Sequence, residues 1–176
     1  MNRRRAVQTL AAAAAAAVAA RPAKAAGASA EAYLKRWNTA KEFTIKVAQE
    51  MPAEHYEFKP TPEMRAFGAL MIHLGGANTR YFARIAGQAP PLKDPPTADK
   101  ETVQKFLAET FDWCAAILGK MTEEDMAKSY PGTGKQPPMG GRDLVMNGFI
   151  HTSHHRGYGE VYLRLKGVPP PRYEVI

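Results

Sequence analysis

Three of the five histidines in this chain fall within five consecutive positions, His151, His154 and His155, in the stretch "FIHTSHHRGYGEVYLRLKG". Imidazole is a borderline ligand suited to zinc, nickel, copper or ferrous iron, and it binds through a neutral ring nitrogen. Residues four apart on a helix differ by about 40° in direction, so His151 and His155 emerge one turn apart on one face and can reach one ion. On spacing alone, His151 and His154 form an equally good pair. The apolar stripe decides between them: Leu144, Gly148, His151, His155, Tyr158 and Tyr162 recur at alternating steps of three and four, with Leu165 following, and this series predicts the inward face. His154 lies off it, with Asn147, Ile150 and Val161. A third ligand must come from another helix, and His73 is the inward candidate there, on the shoulder of the stripe Phe67, Leu70, Leu74, Ala77, Tyr81 and Ile85. His55, in the proline-flanked "PAEHYEFKP", reads as a surface loop residue. Glu160, five residues beyond His155, is off the ligand face and reads as a solvated acid. A core histidine held by one hydrogen bond stays open as the bland alternative to a metal ligand.

The elements that must hold these residues are four helices separated by prolines and glycines. The first is expected over about 30 to 51, with Tyr33, Trp37, Ala40, Thr44, Val47 and Met51 inward and Pro52 closing it. The second is expected from about Pro62 to Ile85, ending at Gly87. "GQAPPLKDPP" is long enough to cross the end of a bundle, and the third helix follows from a start near Thr97 or Asp99 to about Met121, with "TEEDMAK" adding a short turn. The stripe Leu107, Phe111, Cys114 and Leu118 places the only cysteine in the core, where it packs as a small hydrophobe and forms no internal disulfide. "SYPGTGKQPPMGG" is a second long connection. The last helix runs from about Asp143 to Lys166, because Gly167 and the prolines of "VPPPRYEVI" cannot continue it. No strand pattern competes. The expected fold is all-α, a four-helix bundle that is not simply up-down-up-down.

The chain has 176 residues and a formal charge of +7, with 24 basic and 17 acidic side chains. Five of the basic residues, Arg3, Arg4, Arg5, Arg21 and Lys24, precede the first acid, Glu31, which leaves 19 against 17 for the rest. The basic balance belongs to the N-terminal arm, and the nucleic-acid reading loses its support. Clustered arginines, the apolar run Leu10 to Ala20 and the small residues around Ala23-Lys24-Ala25 resemble a twin-arginine export signal. Residues 1–28 are therefore expected to be an export signal that is removed, and residues 29–176 the mature domain, periplasmic or secreted from a bacterium. The run is too short for a membrane span of about 20 residues, and nothing in residues 8 to 20 is amphipathic as an N-terminal helix of a cytoplasmic protein would be. No membrane association is expected after the signal is removed.

The fragments "KPTPEMRAFGALMIHLGGA" and "HTSHHRGYGEVYLRLKGVPPP" resemble the DinB family, the DinB/YfiT-like metalloenzymes, and the likeness runs from about Tyr33 to Tyr173. Its marks are the apolar helix with His73 at its middle, the His-x-x-x-His-Arg-Gly run and the Leu-x-x-x-Gly-Val-Pro-Pro ending. The resemblance implies a four-helix bundle of the DinB/YfiT type holding a divalent ion, zinc, nickel or iron, through His73, His151 and His155. It also implies a homodimer and several chemistries, among them thiol-dependent transfer and hydrolysis. The family pattern has Gln after Arg-Gly where this chain has Tyr158, so Tyr158 is the candidate catalytic residue, a phenol donating to water or substrate. Export to a compartment poor in reduced thiols lowers the transferase reading. Hydrolysis of a small molecule by a metal-activated water is then the leading expectation, although no inward carboxylate offers itself as a base, and Glu160, Tyr158 and His154 rank alike. A non-catalytic, stress-associated protein in which the metal staples the bundle is the alternative.

Overall fold

The computed structural model describes residues 27–173. Among them are five α-helices: α1 (Ala28–Glu50), α2 (Phe67–Ala86), α3 (Lys100–Leu118), α4 (Glu123–Ala127) and α5 (Gly141–Leu165). The four long ones form the expected bundle. α1 packs on α3 and α5, and α2 packs on the same two, so α1 and α2 face each other across a diagonal. The connection from Met51 to Ala66 spans that diagonal and includes a single 3-10 turn at Ala53–His55.

Several boundaries move for local physical reasons. α2 starts at Phe67 rather than Pro62, because the amides of Phe67 and Gly68 donate to the carbonyls of Phe58 and Tyr56 and draw "PTPEM" back against the connection. Asp99 caps α3: its carboxylate accepts from the Thr102 amide at 2.9 Å and from Thr97 Oγ1 at 2.7 Å. "TEEDMAK" is a separate helix, α4, begun by a reciprocal Thr122/Asp125 capping box. The expectation of no strands fails at one place. Ser129–Tyr130 (β1) and Met139–Gly140 (β2) pair antiparallel and close the Pro131 to Pro138 loop, too short a ribbon to show any alternation of polar and apolar residues.

The core runs the length of the bundle. Trp37 is fully buried, donates from its indole nitrogen to Phe111 O at 3.1 Å, and packs against Phe82, Phe111 and Phe149 with ring centroids 5.0 to 5.3 Å apart. Leu107, Phe111, Cys114 and Leu118 are all fully buried, as their stripe predicts, and burial pushes the Cys114 thiol well above its usual pKa. α2 is buried on nearly every side and is the central helix.

The inward face of α5 requires a correction. The buried line is Leu144, Val145, Gly148, Thr152, Gly159, Tyr162 and Leu163, whereas Tyr158 is 43 % exposed and Leu165 56 % exposed. At about 100° per residue, Gly148, Thr152 and Gly159 share a direction some 20° to 100° from that of His151 and His155. Small residues there let the backbones approach: a Cβ on Gly148 would lie 3.1 Å from Phe82 and 3.2 Å from Trp37. Thr152 accepts a buried hydrogen bond from Asn78 Nδ2 at 2.7 Å, which ties α5 to α2. His151 and His155 stand on the shoulder of this face, half-buried, and Tyr158 is on the outer side of them.

Candidate metal centre

α2 and α5 bring His73, His151 and His155 together. One nitrogen from each lies within 4.8 Å of the others, and the three ring centroids are 4.4 to 5.2 Å apart. His73 Nε2 and His151 Nε2 are 3.4 Å apart. Bonds of about 2.0 to 2.1 Å from a tetrahedral ion to two nitrogens place those nitrogens about 3.3 to 3.4 Å from each other, so this pair has the separation of two ligands.

Electrostatics favour the ligating form. Burial, then repulsion from the neighbouring imidazoles, pulls His151 and His155 down to about 4. His73 is lowered by burial and by Arg65 and Arg80, with Asp94 opposing. All three rings are therefore neutral near pH 7, and no proton must leave before a metal binds. The Nδ1 atoms of His151 and His155 are buried without a hydrogen-bond partner. Ligating histidines are commonly oriented by such a bond; here the rings are braced by one another instead, with His73 and His155 edge-on at 88°.

The other sequence candidates fall outside the group. His154 is exposed and stacks edge-on with His155 and Tyr158, at centroid distances of 4.8 and 4.9 Å. Tyr158 stands at the rim, its ring 6.2 Å from that of His155, and is not the inward phenol that the stripe implied. Glu160 pairs with Arg156 at 3.8 Å on the other side of α5. His55 closes the 3-10 turn, half-buried and apart from the triad.

Two cavities open on the triad, and His73 is in the wall of both. One, of about 440 Å³, is bounded by His73, His151, Arg80, Tyr81 and the Thr133 to Gln136 loop. The other, of about 390 Å³, is bounded by His73, Arg65 and Asp94. Asp94 comes from the proline-rich loop and was not foreseen. Its approach depends on Gly76, one turn beyond His73: a Cβ at Gly76 would come within 2.5 Å of Asp94 Oδ1. Nothing in "LKDPP" marks that carboxylate as facing inward, so no sequence signal pointed to it. Arg84 also escaped notice, although a charge in line with Ala77 on the apolar face of α2 is a signal. It is buried and donates to the carbonyls of Tyr130, Pro131 and Pro137 and to Gln136 Oε1, at 2.8 to 3.5 Å, which fixes the loop that walls the first cavity. Tyr162, buried in α5, donates to Arg65 O at 2.8 Å and anchors the wall of the second.

A helical bundle with three convergent imidazoles beside two cavities is an architecture that could hold a metal ion. The chain belongs to the DinB family, whose sequence pattern matches residues 24–176. It is 28 % identical over 130 residues to a Bacillus subtilis (strain 168) protein named uncharacterized protein YjoA, covering 70 % of this chain and 82 % of that one. Its fold is similar to a DinB-like protein from Bacillus cereus ATCC 10987, with a TM-score of 0.72, 20 % identity, and 82 % of this chain and 97 % of that one covered. The crystal structure of YjoA aligns with a TM-score of 0.67 at 20 % identity, covering 82 % and 99 %. A conserved protein from Enterococcus faecalis aligns with a TM-score of 0.64 at 15 % identity, covering 77 % and 95 %.

Proposed function

We propose that this protein is an exported, metal-dependent hydrolase of a small molecule, with a divalent zinc, nickel or iron ion on His73, His151 and His155. The observation that carries the reading is the pair of cavities meeting at His73, one of which holds the Asp94 carboxylate. A metal that only stapled helices would call for a closed site, whereas a catalytic one needs an accessible position. The residues fit such an ion: three neutral nitrogens from two rigid helices, with no proton to displace. When bound, it supplies Lewis-acid activation of water or of a substrate carbonyl or phosphoryl oxygen. Asp94 is the proton acceptor that the sequence lacked. Arg65 and Arg80, one on each cavity wall, orient an anionic or polar group of the substrate and stabilise developing negative charge. Tyr158, at the rim, guides the substrate rather than the reacting bond.

The test is a panel of chromogenic esters and phosphoesters assayed with the metal-loaded protein, with Asp94→Asn and with Tyr158→Phe. A lost general base lowers kcat by about 100-fold or more, and Tyr158→Phe moves KM with kcat little changed. Full activity in Asp94→Asn would remove that residue, and loss of folding on chelation with no turnover of any substrate would favour the staple.

Export is supported by the arginine cluster and apolar run of residues 3 to 20, which lie outside the described residues. The Gly27 amide donates to Met121 O and the Ser29 amide to Glu123 Oε1, both bonds part of the bundle. Cleavage after Ala25 would spare both, which makes it the preferred cut within the expected signal of residues 1–28. Cell fractionation tests export, and absence of the protein from the periplasm would contradict it; with Arg3, Arg4 and Arg5 replaced by Gln, unaltered periplasmic recovery would contradict the twin-arginine route. Among the described residues no helix is long and apolar enough to cross a membrane. A homodimer is supported by the outer face of α5, where Ile150, Val161 and Leu165 are 48 to 61 % exposed. Light scattering that gives a monomer at all concentrations would contradict it.

A further inference from the structure

On the face of α5 turned away from the triad, Arg156 follows His155 immediately yet points to the groove between α1 and α5. It is only 9 % exposed. A buried guanidinium is costly unless its donors are filled, and one donor of Arg156 is not. Its Nε is buried with no hydrogen-bond partner, and Glu160 Oε1 at 3.8 Å offsets charge without making a hydrogen bond. The group rests on the Phe43 ring at 4.4 Å, and Phe43 packs edge-on with Tyr173 at 5.8 Å. The Phe43 ring covers one flat face of the guanidinium, while its Nε is left without a partner.

Arg156 lines a cavity of about 150 Å³ whose wall also carries Arg36, Lys46 and Arg172, against the single acid Glu42. Ser153 adds a hydroxyl. The basic side chains come from α1, α5 and the segment after α5, and a planar guanidinium edge matches the oxygens of an oxyanion. The size excludes a nucleotide and admits one small group. We infer that this groove is a binding site for a small oxyanion of the phosphate class, held by Arg156 at its floor and by Lys46 and Arg172 at its rim, and separate from the metal centre.

Calorimetric titration of the full chain with inorganic phosphate, at constant ionic strength set with sodium chloride, tests this. Saturable binding is expected that persists in Arg65→Gln/Arg80→Gln, where the anion-orienting pair of the metal side is removed, and that is weakened at least fivefold in Lys46→Gln/Arg172→Gln and at least tenfold in Arg156→Gln. Lys46 and Arg172 are on the surface, so the first variant reports even where Arg156→Gln does not fold. No binding beyond that of chloride would overturn the inference, as would wild-type affinity in Lys46→Gln/Arg172→Gln or loss confined to Arg65→Gln/Arg80→Gln.

Discussion

Alanine substitutions at three glycines of α5 measure which face of that helix is buried, and therefore where its histidines look. In a helix interior glycine costs roughly 0.5 to 1 kcal/mol relative to alanine, so Gly→Ala stabilises wherever the new methyl has room. At Gly157 a Cβ would have nothing within 4 Å of it, and Gly157→Ala is expected to gain about 0.5 to 1 kcal/mol. At Gly148 the methyl would be 3.1 Å from Phe82 Cε2 and 3.2 Å from Trp37 Cζ3, rings that are fully buried and packed on each other at 5.0 Å. They have no direction in which to yield. Overpacking of this kind costs about 1 to 3 kcal/mol, which outweighs the helix-propensity gain and leaves Gly148→Ala destabilised by about 1 kcal/mol. Gly159 is intermediate, because its 2.7 Å contact is with the flexible end of Met71, although Val47 at 3.2 Å is stiffer. The expected gap between Gly157→Ala and Gly148→Ala is then about 2 kcal/mol, or roughly 4 to 8 °C in Tm for a domain of this size. Urea denaturation followed by tryptophan fluorescence and circular dichroism reads both. Equal stabilisation by the two variants would mean that Gly148 does not face Trp37 and Phe82, and the placement of His151 and His155 would fall with it.

Acid should act on the metal-free protein through the same histidines. His151 and His155 titrate at about 4 when folded against an ordinary value of 6.5, so their neutral forms favour the fold; that contribution is complete above about pH 6.5 and lost as pH falls toward 4. Metal affinity should accordingly drop by less than about tenfold between pH 7.5 and 5.5, where three unperturbed imidazoles would lose about 1000-fold to protons; equilibrium dialysis at both pH values decides, and a fall beyond about 100-fold would contradict the burial assigned to them. Arg84→Met should cost about 2 to 4 kcal/mol by stranding the carbonyls that Arg84 now satisfies. It should also raise hydrogen exchange in residues 130–137 more than in α1, and unchanged exchange there would show that Arg84 does not hold the cavity wall.

The bundle was legible because its apolar residues are large and periodic: Trp37, Val47, Leu70, Leu74, Leu107 and Phe111 each lie on a stripe and are each buried. The clustering of His151 and His155 was legible for a related reason, since the four-residue step puts both on one side of α5 wherever its core face falls. What misled was the weight that apolar stripes give to size. Leu144, Gly148 and Tyr162 of the expected stripe are buried, but Tyr158 and Leu165 looked inward because they are large, while the contact line continues through Thr152 and Gly159, whose smallness permits the approach and leaves almost no hydrophobic signal. Asp94 was hidden by distance. It reaches the site because the loop after α2 runs back along that helix, with Asp94 beside Gly76 and Ala98 beside Gly68, rather than crossing the bundle end as expected, and Gly76 leaves room beneath it, a relation between residues that no local pattern records. The Arg84 anchor is likewise tertiary, joining α2 to a loop 46 to 53 residues further on.

The central claim is that His73, His151 and His155 form one divalent-metal site. It is tested most directly by elemental analysis of the protein purified without added metal, beside His73→Ala/His151→Ala/His155→Ala and a His154→Ala control. About one equivalent of a divalent transition metal is expected in the wild type and in His154→Ala, and close to none in the triple variant. Equal metal in the wild type and the triple variant would contradict the assignment.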